Sequence, residues 1–193
     1  MTSILPIYFH IKGKLENSLE LKNFFYHGWL HTKSFYDAVC YLGRLEDVDD
    51  EDFKNLKISA LYHDTGYTTG NADNHEYQSA TIAQRELSSL GVDEQSAQQI
   101  CRLIVSTAPG VRPAGILEEI MHDADYEYIG RDYYPYVSEL LRREKSILHS
   151  VWRREQISFL EKHHFITSSA MKLFDNQKDI NYRALLEQCN LES

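Results

Sequence analysis

The chain reads as an all-α protein on three observations: apolar residues recur at helical spacing along nearly its whole length, no stretch alternates apolar and polar residues long enough to build a sheet, and only four prolines interrupt it. At 193 residues it is long enough to bury a core without disulfides, and it predicts one compact helical domain over residues 1–193. Within that domain the chemistry-bearing motifs fall at about residues 26–130, with C-terminal helices over 131–193 packed on them.

After a short irregular start, Glu16 to Phe25 predicts a first helix. A second spans Gly28 to Leu45, with Leu30, Phe35, Ala38, Val39 and Leu42 on one apolar face. The third starts at the acidic cap Asp49-Asp50-Glu51-Asp52, carries Ile58, Ala60 and Leu61, and ends at His63, with Gly66 as its stop. Residues 64–74 are rich in turn formers and predict a loop that rims a site. Asn74 or Asp73 caps a fourth helix over Ala80, Ile82, Ala83 and Leu87, with Gly91 as a left-handed stop. Asp93 caps a fifth, which leads through Ile100, Leu103, Ile104 and Val105 to Thr107. Residues 115–129 form a sixth, stopped near Gly130. Tyr134 to Leu148, Ser150 to His163, Thr167 to Leu173 and Tyr182 to Glu187 predict further helices with structural roles.

Composition narrows the function. A formal net charge of −9 argues against a stable nucleic-acid complex, because phosphate backbones are held by clustered Lys and Arg. A small anionic substrate then requires a cation in its pocket. Cys40, Cys101 and Cys189 are odd in number and lack CxxC spacing, which points to reduced thiols rather than a disulfide framework or a zinc ribbon. The N-terminal residues Met1 to Pro6 carry no basic region followed by an apolar core, and no long apolar run occurs. The expectation is a cytoplasmic protein without a membrane segment, with a homo-oligomer compatible.

The chemistry is carried by His31 in the second helix, the adjacent His63-Asp64 at the end of the third, and Asp123 or Asp125 at the end of the sixth, an H…HD…D order. Helices packed around a common axis would bring these side chains together at one end of a bundle. Two imidazoles and two carboxylates suit a divalent ion such as Mn²⁺, Fe²⁺, Ni²⁺, Co²⁺ or Mg²⁺ with positions open to water and substrate. His27 and His31 are four apart, but the HExxH protease motif needs a glutamate where Gly28 stands.

These residues resemble the HD-domain superfamily of metal-dependent phosphohydrolases. The segments Tyr26–Thr32, Ala60–Tyr67, Asn74–Ala80 and Asp123-Ala124-Asp125 look like its successive motif blocks, in order, over residues 26 to about 130. The resemblance implies His31, His63, Asp64 and Asp125 as metal ligands, the last chosen over Asp123 by its Ala-Asp pair. It implies a possible second ion at His75, while Thr107 stands where a further histidine falls in two-metal members, so one tight metal is expected and a two-iron oxygenase is disfavoured.

The implied activity is hydrolysis of a phosphate ester or anhydride in a small molecule such as a nucleotide; the alternative is a non-catalytic nucleotide-binding or sensor module that keeps the fold. Asp64 would ligate and orient water. His75, His27 and Glu76 are candidates for leaving-group protonation, and Arg102, Lys33 and Arg131 for neutralising phosphate.

Elsewhere plain packing is the expectation. Tyr26, Trp29, Phe35, Trp152, Phe159 and Leu160 read as core, as do the tyrosines from Tyr126 to Tyr136. Tyr67 could cover a base or sugar. Arg142-Arg143 with Glu139 and Glu144 reads as a solvated helix face, and His163-His164 as surface or helix-end residues.

Overall fold

The computed structural model describes residues 3–190 and contains nine α-helices and no strand among them. They are α1 (Ile4–Glu16), α2 (Trp29–Leu45), α3 (Asp50–Tyr62), α4 (His75–Glu86), α5 (Glu94–Val105), α6 (Ile116–Asp125), α7 (Tyr134–Glu144), α8 (His149–Lys162) and α9 (Ser168–Asn190). Short 3-10 turns at Glu20–Asn23, Thr65–Thr69, Ser88–Leu90 and Glu127–Gly130 join several of them. Among the described residues no helix is long and apolar enough to cross a membrane. The N-terminal reading includes Met1 and Thr2, which lie outside the described residues.

Helix α3 is the axis of the fold. Its Leu56 and Ala60 join a cluster with Phe35, Val39 and Leu42 of α2, Ile120 and Met121 of α6, Leu160 of α8 and Phe174 of α9. Its Ile58, Leu61 and Tyr62 join a second cluster with Ile7 and Ile11 of α1, Ala83 of α4 and Ile100 and Ile104 of α5. Burying each large aliphatic side chain contributes roughly 1.5–3 kcal/mol, so a helix packed on two sides is held firmly. The doublet at its C-terminus therefore sits on a rigid support.

Several boundaries depart from the sequence reading. The first helix is not Glu16 to Phe25; it is α1, where Ile7, Ile11 and Leu15 bury one stripe at i, i+4, i+8. Pro6 is tolerated there because it lies in the first turn, whose N–H groups have no intrahelical acceptor. Residues 20–23 make only one 3-10 turn. The stretch after the doublet is not all loop, since Thr65–Thr69 closes a 3-10 turn. Neither Asn74 nor Asp73 caps α4 through its side chain; Asn74 stands at the cap in a left-handed conformation, φ +55°. Helix α4 ends at Glu86, and Gly91 (φ +78°) stops the 3-10 turn beyond it rather than the helix itself. The sixth helix ends at Asp125 and a 3-10 turn follows. The two last predicted helices are one, α9, because nothing between Leu173 and Tyr182 breaks a helix.

The caps predicted for α3 and α5 form. Asp49 accepts from the backbone N–H of Glu51 and Asp52, both at 3.0 Å, and Asp93 from Ser96 N at 2.9 Å. Gly66 does not end α3. It lets two segments approach: a Cβ there would lie 2.1 Å from the His75 carbonyl oxygen, and its N–H donates to Ser79 Oγ at 2.7 Å. Glycine thus docks the start of α4 against the turn that follows Asp64.

Candidate metal centre

Three helix ends meet at one point. His31 comes from the first turn of α2, His63 is the C-cap of α3, Asp64 follows it, and Asp125 closes α6. His31 Nε2 lies 3.1 Å from His63 Nε2, 3.2 Å from Asp64 Oδ2 and 3.5 Å from Asp125 Oδ1. His63 Nε2 lies 3.3 Å from Asp64 Oδ2 and 4.0 Å from Asp125 Oδ1. One ligand atom each from His31, His63 and Asp125 falls within 4.8 Å of the others.

Local contacts aim the rings. His63 Nδ1 donates to the Ala60 carbonyl at 2.9 Å, which leaves Nε2 as the lone-pair nitrogen facing the cluster. His75 Nδ1 does the same toward the Ala72 carbonyl at 3.1 Å, and its Nε2 lies 3.3 Å from both Asp64 Oδ1 and Glu76 Oε1. Asp64 thus turns one oxygen to the two histidines and the other to His75.

The donor set fits a divalent cation. Asp64 Oδ2 is buried without a hydrogen-bond partner, an arrangement that costs free energy unless a positive charge meets it. Burial would push His31 down, yet the Asp125 and Asp64 carboxylates beside it outweigh burial and raise it to about 10. Burial would also raise Asp64, but the imidazoles of His63, His31 and His75 beside it hold it well below the usual carboxylate range. The site is thus built to hold positive charge, whether a proton or a metal.

The cluster opens onto a cavity of about 320 Å³. His27, His75, Glu76 and Thr107 line it beside His31, Asp64 and Asp125. Thr107 reaches the wall, but its hydroxyl donates to the Ile104 carbonyl at 2.8 Å and serves the end of α5. Asp123 is fully buried away from the ligands, where it accepts from Ile166 N, Thr167 N and Thr167 Oγ at 2.7–2.9 Å and pins the loop before α9.

The three cations expected at phosphate lie elsewhere. Arg102 lines a separate cleft between α5 and the start of α6, Lys33 pairs with Asp37 on the outer face of α2, and Arg131 pairs with Glu127. Instead Lys145, the C-cap of α7, lines the cavity.

The C-terminal helices are not only structural: Leu141, Trp152, Gln156 and Phe159 form the far wall. Tyr26, Tyr67, Tyr126 and Tyr128 also face the cavity, so four aromatics read mainly as packing or cover serve as walls. Glu144 is no solvated charge. Its side chain is 7% exposed; it accepts from Tyr26 N at 2.9 Å and His27 N at 3.1 Å, and its other oxygen binds His27 Nδ1. Burial would raise Glu144, but the contact with His27 holds it below the usual range. The His27 ring stacks on Tyr67 with centroids 4.4 Å apart.

His163 ends α8 as expected but is buried, its ring parallel to that of His122 at 5.4 Å, while His164 is exposed. Arg142 pairs with Glu139 at 2.7 Å, as its helix spacing suggests. No protein-family model matches the chain, and neither a curated protein nor a solved structure does.

Proposed function

We propose that this protein is a metal-dependent phosphohydrolase that cleaves a phosphate ester or anhydride of a small molecule, in the manner of the HD-domain superfamily whose motif order it resembles. The observation that carries the reading is the convergence of His31, His63, Asp64 and Asp125 around an orphaned carboxylate oxygen at the base of a cavity. These four residues would hold a divalent ion, which would supply Lewis acidity toward a phosphoryl oxygen and a more acidic water.

The chain's own residues do the rest. Asp64, with Oδ1 3.3 Å from His75 Nε2, orients the attacking water, and this pair takes up its proton. The bond between phosphorus and the leaving oxygen breaks as the bond to the water oxygen forms. The leaving oxygen receives its proton from His27, whose ring is fixed by the buried Glu144 carboxylate and by stacking on Tyr67. Burial of the ligands limits competing solvent at the reacting centre.

Elemental analysis of the purified protein, with phosphate release measured under added Mn²⁺, Mg²⁺, Co²⁺ and Ni²⁺, tests the reading. Metal-dependent release that vanishes in Asp64→Ala and His63→Ala, together with the bound metal and with helical content retained, supports it. Full turnover in either variant refutes the site. Bound metal with no turnover of any phosphoryl compound favours a sensor instead.

A further inference from the structure

The cavity has two unlike walls. One carries the ligands and His27; the other is built from α7 and α8, with Leu141, Lys145, Trp152, Gln156 and Phe159. On α8 the last three fall at i, i+4 and i+7, one face of a helix, so a single rigid element presents an indole, an amide and a phenyl ring to the space in front of the ligands. The indole N–H is already used, donating to Ser138 Oγ at 2.9 Å, which fixes the ring; with the residue 7% exposed, only part of its face borders the cavity. The Gln156 carbonyl is used as well, accepting from the Tyr134 hydroxyl at 2.9 Å, while its amide N–H₂ has no partner among the described residues. Gln156 itself is buried. Lys145 lies 5.6 Å from the Trp152 ring centroid and is the one Lys or Arg that lines the cavity among the described residues.

Charge and size limit the occupant. Three carboxylates, Asp64, Asp125 and Glu76, line the cavity against Lys145. A divalent ion and Lys145 together would balance these three carboxylates, so the lining holds no surplus of cations for a second or third phosphate. Sites for polyphosphates gather several cations or backbone donors along the chain of phosphates, and none of that kind is present in this lining. At about 320 Å³ the cavity is at the small end of ligand pockets, which run from about 300 to 1,000 Å³.

Resting on the phosphohydrolase reading above, we propose that the α7–α8 wall selects a substrate with a single phosphoryl group on a flat unsaturated group, the phosphoryl charge meeting Lys145, the ring lying against Trp152 and Phe159, and an acceptor atom on that ring taking the Gln156 amide hydrogens. Lys145 and Gln156 are the specificity-determining residues, and neither acts on the reacting bond.

The test compares aryl monophosphates and nucleoside mono-, di- and triphosphates with the metal-loaded protein and its Lys145→Ala, Gln156→Leu and Arg102→Ala variants. Ligand binding is followed separately by fluorescence of Trp152 in a Trp29→Phe background, with metal present and with non-hydrolysable phosphonate analogues of the monophosphates, so that no turnover occurs. The expected result is kcat/KM at least tenfold higher for single-phosphoryl compounds than for triphosphates, KM raised about tenfold with kcat within threefold in Lys145→Ala, and no change in Arg102→Ala. Gln156→Leu should raise KM for substrates with a ring acceptor and leave unsubstituted phenyl phosphate unchanged, and the phosphonate analogues of nucleoside monophosphates should quench Trp152. Turnover in which triphosphates match monophosphates, or in which Lys145→Ala and Gln156→Leu keep wild-type KM, overturns the proposal while leaving the phosphohydrolase reading in place. Trp152 quenching by these analogues with no metal-dependent hydrolysis of the monophosphates overturns that reading and retains the recognition wall.

Discussion

Replacing Gly66 with alanine should strike the fold and the site together, because the space for its methyl group is occupied by backbone. The added Cβ would lie 2.1 Å from the His75 carbonyl oxygen, 2.8 Å from its carbon and 2.9 Å from its Cα. Carbon and oxygen in favourable contact are about 3.3 Å apart, so the first turn of α4 must retreat by roughly 1 Å. That retreat breaks the buried hydrogen bond from Gly66 N to Ser79 Oγ, 2.7 Å long, and carries His75 away from Asp64. Overpacking of this kind costs about 1–3 kcal/mol, and a lost buried hydrogen bond about 1 kcal/mol more.

A total near 3 kcal/mol corresponds to a fall in Tm of about 6–12 °C for a chain of this size. Gly13→Ala is the matched control: it lies in the last turn of α1 with nothing within 4 Å of its would-be Cβ, and alanine there should stabilise by about 0.5–1 kcal/mol. Thermal and urea unfolding followed by circular dichroism reads both, and metal titration calorimetry reads the site. If Gly66→Ala unfolds within 1 kcal/mol of wild type and binds metal normally, the close approach of these two segments does not organise the centre.

Three other outcomes follow from the electrostatics. With His31 raised to about 10 in the metal-free site, it carries a proton at neutral pH that a metal must displace; affinity should rise about tenfold per pH unit toward that value, and calorimetry in buffers of different ionisation enthalpy should show about one proton released per ion. His163 is lowered to about 3, chiefly by burial and then by His122 and Lys178. Its folded value lies below its unfolded one, so its contribution to stability is present above about pH 6.5 and is lost as pH falls toward 3, by about 1.4 kcal/mol per unit; His163→Gln should flatten that part of the stability profile, and an unchanged slope would count against it. Glu144→Gln keeps the shape beside His27 but removes the carboxylate, so turnover of substrates with poor leaving groups should fall by about 10²-fold or more while 4-nitrophenyl esters, which need no protonation, are spared.

The elements that the sequence made legible are those with a local cause. Asp49 and Asp93 announce α3 and α5 because an N-cap bond is made within three residues. Helix α1 is harder to see: its stripe of Ile7, Ile11 and Leu15 is interrupted by Pro6 and Gly13, and only the surface offered by α3 and α2 repays the burial. Gly66 misleads for a related reason. A glycine after a helix ordinarily signals a left-handed stop, whereas this one answers to a carbonyl nine residues further on.

The same division runs through the site. The convergence of His31, His63, Asp64 and Asp125 is foreshadowed in the sequence because these residues lie at helix ends, where a short motif fixes both residue type and position. Glu144, Lys145 and Gln156 offer no such mark. On sequence they are charges and an amide on amphipathic helices, and what separates Glu144 from a solvated glutamate is the backbone of Tyr26 and His27, more than a hundred residues away. Trp152 makes the point sharpest. It is buried and belongs to the hydrophobic core, yet it also faces the cavity, so the periodicity that identifies it as core is satisfied whichever role it plays. A cavity wall made of core-type residues leaves no signature of its own in one sequence, which is why the His and Asp cluster of this pocket can be anticipated from the chain while its opposite wall emerges only when α7 and α8 are seen against it.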